Sequence, residues 1–106
     1  MIFLNKNAEP ISVLPGLTRR TLAQAQSMMV CEFIFDGHVT VPIHSHPHEQ
    51  VGYIVEGRVE MSIDGKKTEL LKGDTYVAPS NVPHGAYTLE PAVIVDTFSP
   101  PREDYR

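Results

Sequence analysis

Three of the chain's five histidines fall within one five-residue stretch, in the segment HSHPHEQ that begins at His44. His44 and His46 stand two residues apart after an extended run, so both imidazoles are predicted to project from the same face of a strand. Two imidazoles on one face can bind a single divalent cation through nitrogen. Gln50 follows four residues after His46, and His84 stands far along the chain in the segment NVPHGAY. These residue types indicate a metal site, although a His-x-His pair alone is as compatible with a solvated loop.

A second group of chemically capable residues lies in the C-terminal stretch VIVDTFSPPREDYR. Asp96 and Phe98 share a strand face with Ile94 by period-two alternation. A carboxylate in an otherwise apolar strand is costly to bury unless it is paired or functional. Arg102 follows beyond the rigid Pro100–Pro101 step. The pattern alone favours a structural ion pair between Asp96 and Arg102 at the mouth of the fold, with a functional carboxylate as the alternative.

The elements that must position these side chains are predicted to be short strands. Apolar and β-branched runs alternate with Gly, Pro, Asn and Asp signals. Tight hairpin turns are expected at Glu56–Gly57 and at Asp64–Gly65, the latter of type I′. Thr21–Met29 could form a short helix on propensity alone. The predicted strands are 28–36, 38–46, 51–56, 58–63, 66–71, 75–78, 84–89 and 92–98. Such strands must close into an all-β fold, a small barrel or double-sheet jelly roll.

Length and composition exclude several classes of protein. The 106 residues suit one domain spanning 1–106, with 42% hydrophobic residues and no apolar run long enough for a membrane span. A net charge of −4 without a basic cluster argues against a nucleic-acid partner. The single cysteine, Cys31, cannot form an internal disulfide, and the first residues lack the pattern of a signal peptide. We therefore expect a cytoplasmic protein.

The spacing of the two histidine motifs resembles that of the cupin superfamily of small β-barrels. The first motif covers about 37–57 and contains His44, His46 and Gln50, and the second covers about 73–88 and contains His84. Gly37 lies one residue further upstream than in the usual first motif. In the second motif two residue types depart from the family pattern: Asn81 stands where a glycine is usual, and Thr88 where an asparagine is usual. Asparagine is among the few residues that tolerate positive φ, whereas the sequence offers no interpretation of the threonine. The resemblance implies one divalent transition metal (Ni, Zn, Mn, Fe or Co) with four protein ligands. These are His44, His46, Gln50 and His84.

The segments HSHPHEQVGYIVEG, NVPHGA and DTFSPPRED together resemble the pectin degradation protein family, KdgF. The resemblance implies an enzyme that converts 4,5-unsaturated uronate monomers from pectin or alginate into the open-chain keto-uronate. It also implies a small anionic sugar acid as substrate and a homodimer as the assembly. The catalytic residues that it implies are Asp96, Phe98 and Arg102.

Other interpretations remain open at this stage. Strand alternation would place His48, two residues after His46, on the same side as the ligands. Pro47 and the turn that follows are nevertheless expected to direct it elsewhere. A redox-active metal cupin such as a dioxygenase is one alternative function. The neutral Gln50, where many oxygen-activating relatives have glutamate, favours Lewis-acid chemistry instead. A non-catalytic metal-binding or sugar-acid-binding module is the other alternative, and it leaves Asp96 without a role.

Overall fold

The computed structural model describes residues 1–106 as ten strands in two antiparallel sheets, with one short 3₁₀ turn near each end of the chain. The strands are β1 (Ile11–Leu14), β2 (Leu17–Gln24), β3 (Met29–Phe35), β4 (Thr40–His44), β5 (Glu49–Glu56), β6 (Arg58–Ile63), β7 (Lys66–Leu71), β8 (Thr75–Ala78), β9 (His84–Thr88) and β10 (Ala92–Ser99). One sheet has the order β1-β2-β3-β10-β5-β8 and the other β4-β9-β6-β7. The all-β prediction is confirmed in its double-sheet jelly-roll form, since the sheets do not join into one closed barrel. No helix is long or apolar enough to cross a membrane.

All eight predicted strands are present, but the N-terminal part of the chain differs from the prediction. β1 and β2 were not predicted, and the suggested helix at Thr21–Met29 is wrong. Its first residues belong to β2, where Thr21 pairs with Cys31 of β3. Pairing with β1 on one side and β3 on the other therefore outweighs the helical propensity of the segment.

The two predicted hairpins have different outcomes. Asp64 and Gly65 both have positive φ, 51° and 80°, as a type I′ turn requires, and they join β6 to its partner β7. The hairpin expected at Glu56–Gly57 is wrong, because β5 and β6 lie in different sheets. Gly57, at φ 97°, carries the chain from one sheet to the other.

Period-two alternation decides which side chains enter the interior. In β10 alternate residues from Ala92 to Phe98 are buried, and in β3 alternate residues from Met29 to Phe35 are buried. The apolar core lies between the two sheets and is built from these residues together with inward side chains of β5, β6 and β8. Asp96 and Phe98 therefore share the inner face of β10, as the alternation predicted.

The loops that carry the two histidine motifs are joined by hydrogen bonds. The Asn81 main-chain N–H donates to the carbonyl of His46 at 2.8 Å, and the Ser80 hydroxyl donates to the carbonyl of Pro47 at 2.6 Å. Asn81 has φ 65°, which explains why asparagine can replace the usual glycine. The turn before β9 and the loop after β4 are thereby held side by side.

Thr88, the second departure from the cupin pattern, has a structural explanation. Its side chain is fully buried, and its hydroxyl accepts a hydrogen bond from the Val39 N–H at 2.9 Å. The same hydroxyl donates to the Asp36 carbonyl at 3.1 Å. Thr88 therefore fastens the turn between β3 and β4 to the end of β9.

Replacing Thr88 with the isosteric valine should destabilise the fold by about 1–3 kcal/mol, because the buried Val39 N–H loses a partner. Chemical denaturation measures the change in the free energy of unfolding. Thr75→Val, at an exposed position of β8, is the matched control and should change it by less than about 0.5 kcal/mol. Equal effects at both positions would contradict the assigned role of the Thr88 hydroxyl.

Candidate metal centre

Three histidines from three segments of the chain converge at one end of the interior. His44 ends β4, His84 begins β9, and the two are partners in the strand register. His46 comes from the loop after β4, so the prediction that it shares a strand face with His44 is not met. One ring nitrogen from each histidine lies within 4.8 Å of those of the other two. His46 and His84 are buried, while His44 is at the exposed side of the group.

The ring orientation of each of these histidines is fixed by the main chain. In all three, Nδ1 lies 2.8–3.0 Å from a carbonyl oxygen two residues away. A carbonyl oxygen only accepts, so Nδ1 carries the proton and donates. The other nitrogen, Nε2, is then left with its lone pair available to a metal, an arrangement typical of histidine ligands.

Gln50 of β5 presents a fourth donor atom, an oxygen, to this group of three nitrogens. Its side chain is buried, and its Oε1 lies 3.1 Å from Nε2 of His46. Its amide nitrogen donates to the hydroxyl of Tyr76 at 2.8 Å, so the oxygen is the end that faces the histidines. Two lone-pair donors at this distance repel unless a cation lies near both.

Buried acceptor atoms in this group show whether the residues suit a metal ion. Nε2 of His84 is buried and has no hydrogen-bond partner. An unpaired buried acceptor is costly, and here it points into a group of further acceptors. Three imidazole nitrogens and one amide oxygen suit a divalent transition metal, so the donor set fits the cofactor that the sequence predicts.

Electrostatics favours the neutral, ligating form of the buried histidines. Burial lowers the pKa of His46, and the nearby Arg102 and His84 lower it further. Burial is also the main cause that lowers the pKa of His84, with His44 and Arg102 adding to it. Both imidazoles are therefore neutral at pH 7, with Nδ1 protonated and Nε2 free of a proton, as metal binding requires.

His48 stands outside the group of three histidines. Its main-chain carbonyl accepts the hydrogen bond from Nδ1 of His46, and its own ring centre lies 5.4 Å from that of His46. Nδ1 of His48 is buried without a partner. The structure thus gives His48 a supporting position beside His46, which agrees with the expectation that the turn directs it away.

The pocket next to the histidines contains the three C-terminal residues named by the sequence. Asp96, Phe98 and Arg102 line the same cavity as His44, Gln50 and His84. The guanidinium of Arg102 lies 4.0 Å from the ring centre of Tyr105 and 5.4 Å from that of Phe98. Aromatic rings therefore hold the guanidinium of Arg102 at the pocket wall.

Asp96 is a buried acid without a cationic partner. It is 4% exposed, and its Oδ1 accepts a hydrogen bond from the Tyr76 hydroxyl at 2.6 Å. Burial raises the pKa of Asp96 to about 7, against the opposing effect of the hydrogen bond from Tyr76 and of the nearby Gln50 amide. The ion pair between Asp96 and Arg102 that the pattern favoured is wrong. Arg102 instead binds Asp104, two residues away in its own turn, at 3.0 Å.

Sequence reasoning missed two residues of this pocket, Tyr76 and Tyr105. Tyr76 is at an inward position of β8, a short strand without a motif of its own, so the only signal was its alternation with Ala78. Tyr105 is in the 3₁₀ turn near the C-terminus, where strand alternation cannot predict whether a side chain faces the pocket. Both depend on contacts between segments that are distant in sequence.

His84→Asn should weaken binding of Ni²⁺ or Zn²⁺ by more than about 100-fold, because it removes a buried nitrogen donor. Loss of a residue that only hydrogen-bonds to a metal ligand typically costs roughly 10–100-fold. Isothermal titration calorimetry measures the affinity and the stoichiometry. His48→Asn and His38→Asn are the controls, and both should keep one ion per chain. A large loss in His48→Asn would place the centre around a different donor set.

Comparisons with known proteins identify the family of this chain. The family model described as a cupin domain matches residues 32–98. The pectin degradation protein KdgF of Dickeya dadantii (strain 3937) is 39% identical over 93 residues, covering 85% of this chain and 84% of that protein. The solved structure of KdgF from Halomonas sp. superposes with a TM-score of 0.95 at 36% identity, covering 100% of this chain and 98% of the other. An RmlC-like cupin from Shewanella frigidimarina NCIMB 400 superposes with a TM-score of 0.95 at 33% identity, covering 99% and 95%. The chain belongs to the cupin superfamily and, within it, to the family of the pectin degradation protein KdgF.

Proposed function

We propose that this protein is a metal-dependent enzyme that converts 4,5-unsaturated uronate monomers into the open-chain keto-uronate. The observation that carries the proposal is a buried carboxyl group, Asp96, in one pocket with an arginine and a cluster of neutral metal donors. Similarity to KdgF, named as a pectin degradation protein, supports the choice of substrate class.

The reaction is an isomerisation and needs only the movement of protons. The substrate is a cyclic enol ether with a carboxylate on C5. Loss of the proton from the C1 hydroxyl forms the C1 aldehyde as the bond between C1 and the ring oxygen breaks. The ring oxygen becomes the enolate oxygen on C5. Delivery of a proton to C4 then gives the C5 ketone, so atoms and electrons balance without a co-reactant.

Asp96 is suited to move these protons. A carboxyl group with a pKa near 7 can both accept and donate a proton at neutral pH. Burial in an apolar strand sets this property, and the hydrogen bond from Tyr76 fixes where the carboxyl group points. We assign Asp96 as the general acid and base.

Arg102 is assigned to bind the substrate carboxylate. Its Nε and Nη2 groups donate to Asp104, and a guanidinium has five N–H donors, so others are free for a second anion. The aromatic contacts with Phe98 and Tyr105 limit the movement of the guanidinium. Phe98 itself, fully buried beside the site, shapes the wall against which a sugar ring would rest.

His44, His46, Gln50 and His84 would hold the divalent cation. When bound, such a cation would act as a Lewis acid and stabilise the negative charge that develops on the enolate oxygen. Since all four protein donors are neutral, the site suits an anionic, oxygen-rich ligand better than redox cycling. Gln50 is therefore part of the argument against the dioxygenase alternative.

Asp96→Asn should lower the rate of uronate conversion by about 10²–10⁴-fold, because asparagine cannot transfer the proton. The assay follows the loss of ultraviolet absorbance of a lyase-generated unsaturated monomer, corrected for the spontaneous reaction. Metal content is measured on every sample, since asparagine keeps an acceptor for Tyr76 and should leave the centre loaded. Asp64→Asn, in the turn between β6 and β7, is the matched control and should retain full activity.

An oxygen electrode in the same assay separates the alternatives. The proposal predicts no consumption of oxygen during turnover. Oxygen uptake linked to loss of the substrate would favour the redox cupin. Tight binding of the unsaturated uronate without any acceleration would favour the non-catalytic module.

We also propose that the protein forms a homodimer through the outer face of the six-stranded sheet. Val51 and Tyr53 of β5 and Val77 of β8 are exposed on this face, and Val51 pairs directly with Val77. Val95 of β10 lies beside Tyr53 in the register and continues the apolar surface. A contiguous apolar face of this kind is typical of a protein interface.

Tyr53→Lys should convert the dimer into a monomer, because two buried like charges would face each other across the interface. Light scattering coupled to gel filtration measures the mass of the particle. Leu71→Lys, at an exposed apolar position of the other sheet, is the control and should leave the dimer intact. A monomeric wild-type protein would contradict this proposal directly.

A further inference from the structure

Tyr76 reaches the centre through a gap in the neighbouring strand. Gly52 of β5 pairs with Tyr76 on one side and with Asp96 on the other, so the three residues form one row across the sheet. A side chain on Gly52 would overlap the ring of Tyr76 and would lie 2.5 Å from Oδ1 of Asp96. The absence of that side chain lets the phenol cross β5 and meet the carboxyl group of Asp96.

When the carboxyl group of Asp96 is ionised, the hydrogen bonds of the Tyr76 hydroxyl have one consistent direction. Its single proton is donated to Oδ1 of Asp96 at 2.6 Å. The hydroxyl oxygen can therefore only accept from the second partner, Gln50, and the amide nitrogen of Gln50 lies 2.8 Å away. Gln50 must then turn its NH₂ group to Tyr76 and its oxygen to the histidines, 3.1 Å from Nε2 of His46.

We propose that Tyr76 is a positioning residue that holds the carbonyl end of Gln50 toward the metal site. Asp96 sets the direction of the hydroxyl, the hydroxyl sets the direction of the amide, and the amide completes the donor set. Tyr76 is not one of the four proposed metal donors and acts on the centre through Gln50. The inference rests on the proposed metal centre and not on the proposed reaction, since its tests need no substrate.

Tyr76→Phe removes the hydroxyl and keeps the ring beside Gly52. The affinity for Co²⁺ should fall by roughly 10–100-fold, because the amide of Gln50 is no longer oriented. The visible spectrum of the Co²⁺-loaded variant should change from that of the wild type to that of Gln50→Leu, in which the oxygen donor is absent. Competition with a chelator gives the affinity, and absorbance gives the spectrum.

Tyr87→Phe is the matched control, since it also loses a hydroxyl hydrogen bond of 2.8 Å, to Nδ1 of His38, away from the centre. Its affinity and spectrum should equal those of the wild type. Wild-type affinity and an unchanged spectrum in Tyr76→Phe would overturn the proposal.

A double-mutant cycle distinguishes positioning from a general loss of structure. If Tyr76 acts through Gln50, then Tyr76→Phe should cost no further Co²⁺ affinity in the Gln50→Leu background. Additive losses would mean that Tyr76 affects the centre by another route, and the proposal would fail.

A measurement on the unmodified protein covers the case in which a variant does not fold. In NMR spectra of protein with ¹³C-labelled tyrosine, Zn²⁺ should shift the signal of the Tyr76 ring carbon that carries the hydroxyl. The corresponding signal of Tyr87 should stay in place. An unmoved Tyr76 signal at full Zn²⁺ occupancy would contradict the proposal that Tyr76 positions Gln50. Failure of the uronate assay would remove the proposed reaction and leave this result unaffected.

Discussion

The candidate centre imposes one requirement on the structure around it: several acceptor atoms without protons must be buried together. Main-chain carbonyls hold the Nδ1 protons of His44, His46 and His84, so the opposite nitrogens converge as acceptors. Gln50 adds an oxygen to the same group. Such a cluster is unfavourable alone and favourable around a cation. The hydrogen bonds between the two histidine-bearing loops, and the strand register that brings His44 to His84, maintain this arrangement.

The sheet that carries Asp96 connects this centre to proton chemistry. The inner face of β10 is apolar except for that residue, so burial raises the pKa of Asp96 to about 7. Gly52 opens the path by which Tyr76 reaches both Asp96 and Gln50. Asp96 and the metal donor Gln50 are therefore linked through Tyr76 by hydrogen bonds within the six-stranded sheet. Arg102, held by aromatic rings at the edge, would supply the positive charge for the anionic substrate that we propose.

Features with a local signature in the sequence could be predicted, and features set by distant contacts could not. The spacing of His44, His46, Gln50 and His84 predicted a cluster that the structure brings together. Alternation placed Asp96 and Phe98 inside. The partner of Asp96 was predicted wrongly, because a tyrosine reaching across a glycine leaves no trace in the spacing. Strand β2 was missed because its second half, from Thr21, favours a helix until β1 and β3 pair with it, and β1 pairs only with β2.

The central claim is that the neutral donor set holds a cation needed for uronate ring opening. The most direct measurement compares chelator-stripped and Ni²⁺-reloaded wild-type protein in the ultraviolet assay with the unsaturated monomer. The account predicts that the stripped protein leaves the spontaneous rate unchanged, and that activity returns in proportion to bound metal up to one ion per chain. Fully loaded protein that fails to accelerate the reaction, or stripped protein that is fully active, would contradict it.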